Sequence, residues 1–424
     1  MNTKITLAEL ARDPGCLAEY DPNAMDYHDA QKWIEQFILP VTEIQTLPIR
    51  DALGRILSED IYSPIDVPNY DNSAMDGFVF SQSTGDIPSS LIPTGTILAG
   101  DITKQEVTPG HAIQIMTGGK IPIGGNTVIP FELVINDGNK IILNETPKIG
   151  SNIRRVGEDV KKGELILKKG KSLRPAEIGL LASLGLSHTQ VYRRIKAAYF
   201  STGNEVVSVG ETLKIGQVYD SNNHTIEAML KRLGADIIDL KIVSDDKQKL
   251  REALLAAASQ SDVIITSGGV SVGTADFMKE ILKEIGEVLF WKLAIKPGRP
   301  LAYGKINQCH YFGLPGNPVA SMVTFYQIVQ PHLKLLMGQA KYEPPPLFKV
   351  KTENFIHKKP GRMEFQRGIL FKKNNEWWVR AIEQQGSAIL SSMTQANCFI
   401  VLDIHLDSVD PGSEVNVQLL EGII

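Results

Sequence analysis

Apolar positions repeat first with a helical period, then with a strand period, and then alternate between the two. From His28 to Phe37 the spacing predicts a helix, and a shorter helical stretch follows near Arg50 to Ile56. Between Asp60 and about Gly157 the pattern breaks into short β-type runs such as Ala112 to Met116 and Thr127 to Pro130. Pro-Gly, Gly-Gly and Asp-Gly turns separate them, predicting a small β-rich domain. From Val160 to Arg194 turns give way to a helix with Pro175 at its first position and Gly185 as its stop. The helical stretch 27–61 has no core of its own. It is therefore expected to pack with 160–194 as one discontinuous N-terminal domain flanking an insertion at 62–159.

Residues 195–341 alternate strand and helix patterns. Strands are expected at Ala197 to Phe200, Asp236 to Val243, Val263 to Ile265, near Val288 to Ile295, at Leu301 to Tyr303 and near Tyr311. One helix runs from Ser221 to a stop at Gly234, and another ends near Ser259. A third carries Phe277, Ile281 and Ile285 on its apolar face and stops at Gly286. A long closing helix has Asn317 as N-cap and Pro318 at N1. This alternation predicts a doubly wound, mostly parallel sheet with helices on both faces. After a Glu343-Pro-Pro-Pro346 linker, short strands (Leu347 to Val350, Trp377 to Ile382, Phe399 to Ile404) and turns at Asn374-Asn375 and Asp410-Pro-Gly412 predict a small β barrel or sandwich over 342–424. The expected fold class is α/β multidomain: the central sheet, the discontinuous N-terminal domain, the inserted β-rich domain and the C-terminal β-barrel-like domain.

A chain of 424 residues implies about three or four domains. Its 43% hydrophobic and 22% charged residues are ordinary for a soluble globular protein. A net charge of −4 offers no general attraction to nucleic acid or anionic membrane. No apolar run reaches the ~18 residues of a bilayer span, and the N-terminus lacks a signal-peptide pattern. The three cysteines (Cys16, Cys309, Cys398) are far apart and form no C-x-x-C, which argues against a disulfide framework or zinc site. A cytoplasmic location is expected. Residues 1 to about 25 read as a loosely held polar arm.

Candidate chemistry clusters after the strands of the central domain: Ser201 to Glu205, Ser244 to Asp246, Ser267 to Asp276, Lys296 to Arg299 and Gly313 to Asn317. The carboxyl ends of parallel strands share one edge of an open α/β sheet, where ligands bind. Gly268, Gly269 and Gly273 suit close backbone approach to an anion. Asp276 beside such a loop either favours the helix N-terminus or faces its ligand through a metal. Glu205, Asp245 and Asp246 offer oxygen ligands to a hard cation such as Mg²⁺, while Lys292, Lys296 and Arg299 offer charge to a pyrophosphate or oxyanion. No Ser, Cys or His is set up as a nucleophile, so metal-assisted phosphoryl chemistry ranks above covalent catalysis. In the insertion, Asp76-Gly77 before Phe78 reads as a hairpin turn. Met116-Thr-Gly-Gly119 and Arg154-Arg155 with Glu158-Asp159 are turn-like and rich in oxyanion- or metal-binding groups.

Three segments together resemble one family. Asn72-Ser-Ala-Met-Asp-Gly77, Ser267-Gly-Gly-Val-Ser-Val-Gly273 with Asp276, and Lys296-Pro-Gly-Arg-Pro300 with Gly313-Leu-Pro-Gly-Asn-Pro318 are similar to the MoeA molybdopterin molybdenumtransferases, which include the gephyrin E domain. The resemblance implies a four-domain homodimer with a central molybdopterin-binding fold and a molybdopterin adenylyltransferase as upstream partner. It also implies insertion of molybdate into adenylylated molybdopterin, with release of AMP in the presence of Mg²⁺. Asp276, with Ser267, Gly268, Gly269, Ser271 and Gly273, would line the nucleotide-pterin site. Glu205 and Asp245 would lie near the metal, and Lys292 and Lys296 at the anionic groups. Pro315 and Pro318 would belong to a backbone turn at the pocket. Asp76, Thr117, Arg154 and Asp159 would come from the second subunit. Arg362, Arg367 and Ser387 would flank a molybdate-sized anion path. Asn204 replaces an aspartate of the family pattern and Thr274 an often charged residue. A molybdopterin-binding scaffold without turnover and a tungstate-inserting homologue stay open. An adenylyltransferase resembles only the central domain.

Overall fold

The computed structural model describes residues 24–84, 88–101, 104–145, 147–269, 275–341 and 343–420, with backbone alone at 275, 276, 290 and 291. The chain divides into two compact units, one of residues 46–53 and 57–190 and one of the remainder.

The first unit is built on a six-stranded sheet: β1 (Gly77–Phe80), β2 (Ser90–Ile97), β3 (His111–Ile115), β4 (Thr127–Pro130), β5 (Val134–Asn136) and β6 (Ile141–Leu143), in the order β4-β1-β3-β2-β6-β5. Its two faces bury separate apolar clusters. Val79, Ile113 and Val128 lie in one and Phe78, Phe80 and Ile129 in the other, as strand alternation requires. The short helix Pro175–Ser183 begins with proline at N1, as expected, and Gly185 follows it with a φ of 73°. Its start is fixed by Glu177, only 6% exposed. The Glu177 carboxylate accepts from Arg174 N at 3.0 Å, Arg174 Nε at 3.1 Å and Arg174 Nη2 at 2.8 Å. The Arg174 hydrogen bonds hold the Glu177 carboxyl down at about 2, against an ordinary 4.5. A depressed carboxyl stabilises the fold above its unfolded-state pKa, and that contribution is lost as pH falls from about 4.5 through about 2. Glu177→Gln is expected to lower stability at pH 7 by about 1–2 kcal/mol and to flatten acid unfolding in that window. Circular-dichroism titrations of both proteins check this, and parallel acid curves would contradict it.

The second unit centres on β7 (Lys196–Thr202), β8 (Asp236–Val243), β9 (Val263–Ser267), β10 (Glu287–Lys292), β11 (Pro300–Ile306) and β12 (Cys309–Leu314). Their order is β8-β7-β9-β12-β11-β10. The first four in that order run parallel, β11 runs against them, and β10, antiparallel to β11, runs in their sense again. The mostly parallel sheet expected from the sequence is therefore present. The helices α1 (Tyr27–Phe37), α2 (Ser221–Leu233), α3 (Lys247–Gln260) and α4 (Ala275–Ile285) accompany it. Side chains of α2 and of α3 and α4 fall into two different cores, with Ile226 and Leu230 in one and Leu254 and Ile281 in the other. The closing helix is not continuous. Pro318–Thr324 and Gln330–Leu336 are joined by a π-helical turn, Phe325–Val329. Pro331 has no N–H for the carbonyl of Gln327, four residues earlier. That carbonyl accepts instead from Gln31 Nε2 of α1.

Five strands close a C-terminal barrel: β13 (Phe348–Thr352), β14 (Met363–Lys373), β15 (Glu376–Ala381), β16 (Cys398–Leu402) and β17 (Glu414–Leu419). The ring runs β14-β15-β13-β17-β16 and back to β14. Asn374 and Asn375, at φ 50° and 65°, make the tight turn expected between β14 and β15.

Several expectations need correction. The short helix near Arg50 to Ile56 is only a 3₁₀ turn, Ile49–Asp51. Gly54, at φ 74°, follows too soon for a stable α-helix. The segments 27–61 and 160–194 pack together from Ile49 onward, where Ile49 N donates to the Ser187 carbonyl and Leu57 N to that of Lys171, but α1 does not join them. Ala30 and Ile34 of α1 enter the core of the central sheet, whereas Ile61 and Tyr62 pair with Leu165 to Leu167. Phe277 is 46% exposed, and the buried face of α4 is Met278, Ile281 and Leu282 instead. Among the described residues, no helix is long and apolar enough to cross a membrane.

Candidate active site

The carboxyl ends of β7, β9 and β12 meet around a cavity of about 620 Å³. Glycines let these ends approach. Gly268 has φ 90°, and a Cβ there would lie 2.7 Å from the carbonyl oxygen of Thr202, against which no neighbour can yield. Ser267, the last residue of β9, is 3% exposed. Asn222, in the first turn of α2, donates from Nδ2 to Ser267 Oγ and to the carbonyl of Gly316, both at 2.7 Å. One amide thus ties a helix start to two strand-end loops. Asp220 caps α2, its Oδ1 accepting from Asn223 N and Ser201 Oγ, each at 2.9 Å. Sequence reading included Ser201 in a candidate cluster but missed Asp220 and Asn222 as site residues. The visible signal was the Asp220-Ser-Asn222 capping pattern at a helix start.

The carboxylates expected as metal ligands are more dispersed. Glu205 is exposed, and Asp245 is half-buried and accepts from Thr202 Oγ1. Among the described residues, no three His, Cys, Asp or Glu side chains gather as a metal-binding group. Ser271 and Gly273 lie outside the described residues, and of Asp276 only the backbone is described, in the first turn of α4.

A second cavity, about 400 Å³, adjoins the first, and Gly316 and Asn317 line both. Its basic side chains are Lys296, Arg299 and Arg362. Ile295 and Lys296 add a short strand parallel to β14, which sets Lys296 opposite Glu364. The Lys296 ammonium stands 3.4 Å from both oxygens of the Glu364 carboxylate. Glu364 is 2% exposed and also accepts from Gln366 Nε2 at 2.8 Å. Asn317 occupies the N-cap position with Pro318 at N1, as expected, yet its side chain makes no capping bond. It donates to Ser387 Oγ at 3.0 Å, joining the β12 turn to the barrel. Pro315 lines the basic cavity and Pro318 the larger one. Arg367 does not face an anion path. It is 1% exposed, and its guanidinium donates to Ser392 Oγ and to the carbonyls of Gln384 and Gly386, each at 3.1 Å. Lys292 is half-buried at the end of the edge strand β10 and lines neither cavity.

Comparison with known proteins accounts for nearly the whole chain. Residues 25–185 match the MoeA N-terminal region (domain I and II), 200–335 a probable molybdopterin binding domain, and 349–420 the MoeA C-terminal region (domain IV). A molybdopterin molybdenumtransferase of Haemophilus influenzae is 43% identical over 389 residues, covering 91% of this chain and 96% of that protein. The chain belongs to the MoeA family. Another relative so named, from a Nostoc species, is 34% identical over 87% of each chain. The crystal structure of the molybdopterin biosynthesis MoeA protein of Pyrococcus horikoshii OT3 superposes with a TM-score of 0.80 at 30% identity, covering 93% of this chain and all of that one.

The MoeA segment Asn72 to Gly77 is not the hairpin turn that Asp76-Gly77 suggested. Asn72 and Ser73 pair with Ile153 and Arg154, while β1 pairs with β3 and β4. Gly77 is needed because a Cβ there would collide with the backbone carbonyl of Ile129. The exposed Asp76 carboxylate accepts from Thr117 N at 2.7 Å and Thr117 Oγ1 at 2.8 Å. The backbone hydrogen bond of Thr117, and then its hydroxyl, hold the Asp76 carboxyl below its usual range. The expected pair Asp76 and Thr117 is therefore a preformed, ionised unit. Arg154 and Asp159 are both exposed in the same compact unit. Asn204, which replaces the aspartate of the MoeA pattern, is exposed beside Glu205.

Proposed function

We propose that this MoeA-family chain is a molybdopterin molybdenumtransferase. It takes adenylylated molybdopterin and molybdate, cleaves the pyrophosphate link, releases AMP and leaves molybdenum on the dithiolene. The observation that carries the reading is the pair of adjoining cavities sharing Gly316 and Asn317. One is bounded by glycine turns, hydroxyl and amide groups and the carboxylates of Glu205 and Asp220, which suits the polar edges of a nucleotide-pterin. The other holds Lys296, Arg299 and Arg362 and suits a small oxyanion.

The chain's own residues supply binding and charge. The glycine turns admit the substrate closely, and Lys296 with Arg362 brings the oxyanion beside it. Two anions approach each other only against repulsion, which fixed cations offset. The oxygen donors Glu205, Asp245 and Asp276 suit Mg²⁺, which would supply neutralisation of the pyrophosphate. The reading extends to a homodimer in which Asp76, Thr117, Arg154 and Asp159 serve the second subunit. It also extends to a cytoplasmic setting and to an adenylyltransferase upstream. Purified protein given adenylylated molybdopterin, molybdate and Mg²⁺ is expected to release AMP, read by chromatography, with tungstate run alongside. Substrate binding without AMP release would leave a scaffold instead.

A further inference from the structure

The larger cavity holds two buried acceptors that the fold leaves without a partner among the described residues. Asp220 is 5% exposed and Asn222 is 8% exposed, and both line that cavity. Asp220 commits Oδ1 twice, to Asn223 N and Ser201 Oγ, while Oδ2 is buried with no hydrogen-bond partner among the described residues. Asn222 commits its Nδ2 twice, to Ser267 Oγ and Gly316, while Oδ1 is likewise buried and unpartnered. The bonds already made fix which atom of each group is left over. Buried polar atoms without partners are rare and costly, so two at the wall of one cavity call for a ligand.

We infer that Asp220 Oδ2 and Asn222 Oδ1 read a donor edge of the substrate's heterocycle, the 2-amino and adjacent ring N–H of a 2-amino-4-oxopteridine. This rests on the transferase reading for the identity of the substrate. Both free atoms accept, so the ligand must donate. A 2-amino-4-oxo ring offers two donors side by side. Adenine offers one amino group flanked by acceptors, and a phosphate or molybdate offers acceptors alone and would be repelled by the carboxylate. The orientation follows as well. The ring edge sits at the α2 start, and the remainder of the substrate extends past Gly316 toward Lys296, since Gly316 and Asn317 line both cavities.

Asp220→Asn is a selective probe. An amide oxygen takes the place of Oδ1, keeping the helix cap and the Ser201 bond, and the amide nitrogen turns the free acceptor into a donor. Fluorescence titration of the full chain with 6-carboxypterin and with 6-carboxylumazine, which has a 2-oxo group in place of the 2-amino group, reads the edge directly. Wild type is expected to prefer the pterin by at least about 10-fold, because a site built to pair donors rejects the analogue lacking them. In Asp220→Asn the preference is expected to fall below about threefold. Asp220→Ser, which also caps a helix, is expected to lose pterin affinity without gaining a donor. In AMP release, Asp220→Asn is expected to raise KM for adenylylated molybdopterin more than it lowers kcat. Equal wild-type affinities, no pterin binding, or a preference unchanged in Asp220→Asn would overturn the inference. So would AMP displacing the pterin with an affinity that depends on Asp220, which would assign the edge to adenine. Absence of AMP release from wild type counts against the transferase reading alone, because the pterin titration stands apart from turnover.

Discussion

Lys296→Ala is expected to lower kcat/KM for molybdate about 100–1000-fold, the scale of removing one fixed charge or donor from an oxyanion site. The expected loss is large because two effects add. The first is the missing cation in a cavity whose other basic groups are Arg299 and Arg362. The second comes from Glu364, a carboxylate 2% exposed and 3.4 Å from the Lys296 ammonium. Without Lys296 this buried charge loses the cation 3.4 Å away and repels an incoming dianion, poorly screened by water. The single variant is therefore worse than neutral, and Lys296→Ala with Glu364→Gln is expected to recover part of the loss. Initial rates of AMP release against molybdate concentration measure both. A Lys296→Ala enzyme within about threefold of wild type would remove Lys296 from the oxyanion path.

Local signals in the sequence anticipated those parts of the fold in which chemistry and periodicity agree. The α2 boundaries follow from Asp220 as cap and Gly234 as an αL stop at φ 83°. Strand β8 was readable from Asp236 to Val243, and the glycine turn after β9 from its composition. Strand β14 was not. Its 11 residues bury Glu364, Gln366 and Arg367 among the apolar ones, so the polar positions that normally mark a solvent face here mark the interior. The resemblance implies an anion contact for Arg367, but its partners are neutral protein oxygens. Lys292 shows the converse limit. It ends β10, which runs in the same sense as the parallel strands, but β10 is the edge strand, separated from them by the antiparallel β11, and Lys292 lines neither cavity. Asp220 and Asn222 read locally as helix-start residues, and only the three-dimensional count of their hydrogen bonds reveals an acceptor left over on each.

Arg367→Met is expected to destabilise the barrel-bearing unit by about 3 kcal/mol, even though methionine fills much of the same volume. Burial pushes the Arg367 guanidinium down to about 10, so the group still carries its charge at pH 7. Its bonds go to neutral oxygens: Ser392 Oγ and the carbonyls of Gln384 and Gly386. Those three acceptors lose their donor in the variant, and each buried acceptor left unpaired costs about 1–3 kcal/mol before relaxation. Arg380 provides the contrast. It pairs with Glu353 at 2.8 Å but its side chain is 56% exposed, so Arg380→Ala is expected to cost under about 1 kcal/mol. The consequence for function follows from the chain order. The carbonyl of Gly386 precedes Ser387, whose hydroxyl accepts from Asn317 and whose own carbonyl accepts from Val319 N at 3.0 Å. Releasing Arg367 therefore loosens the wall of the basic cavity opposite Lys296, and KM for molybdate should rise more than kcat falls. Guanidinium chloride unfolding gives the stability difference and AMP-release kinetics the split. An Arg367→Met protein within about 1 kcal/mol of wild type would mean that the loop holds Ser387 without the buried guanidinium.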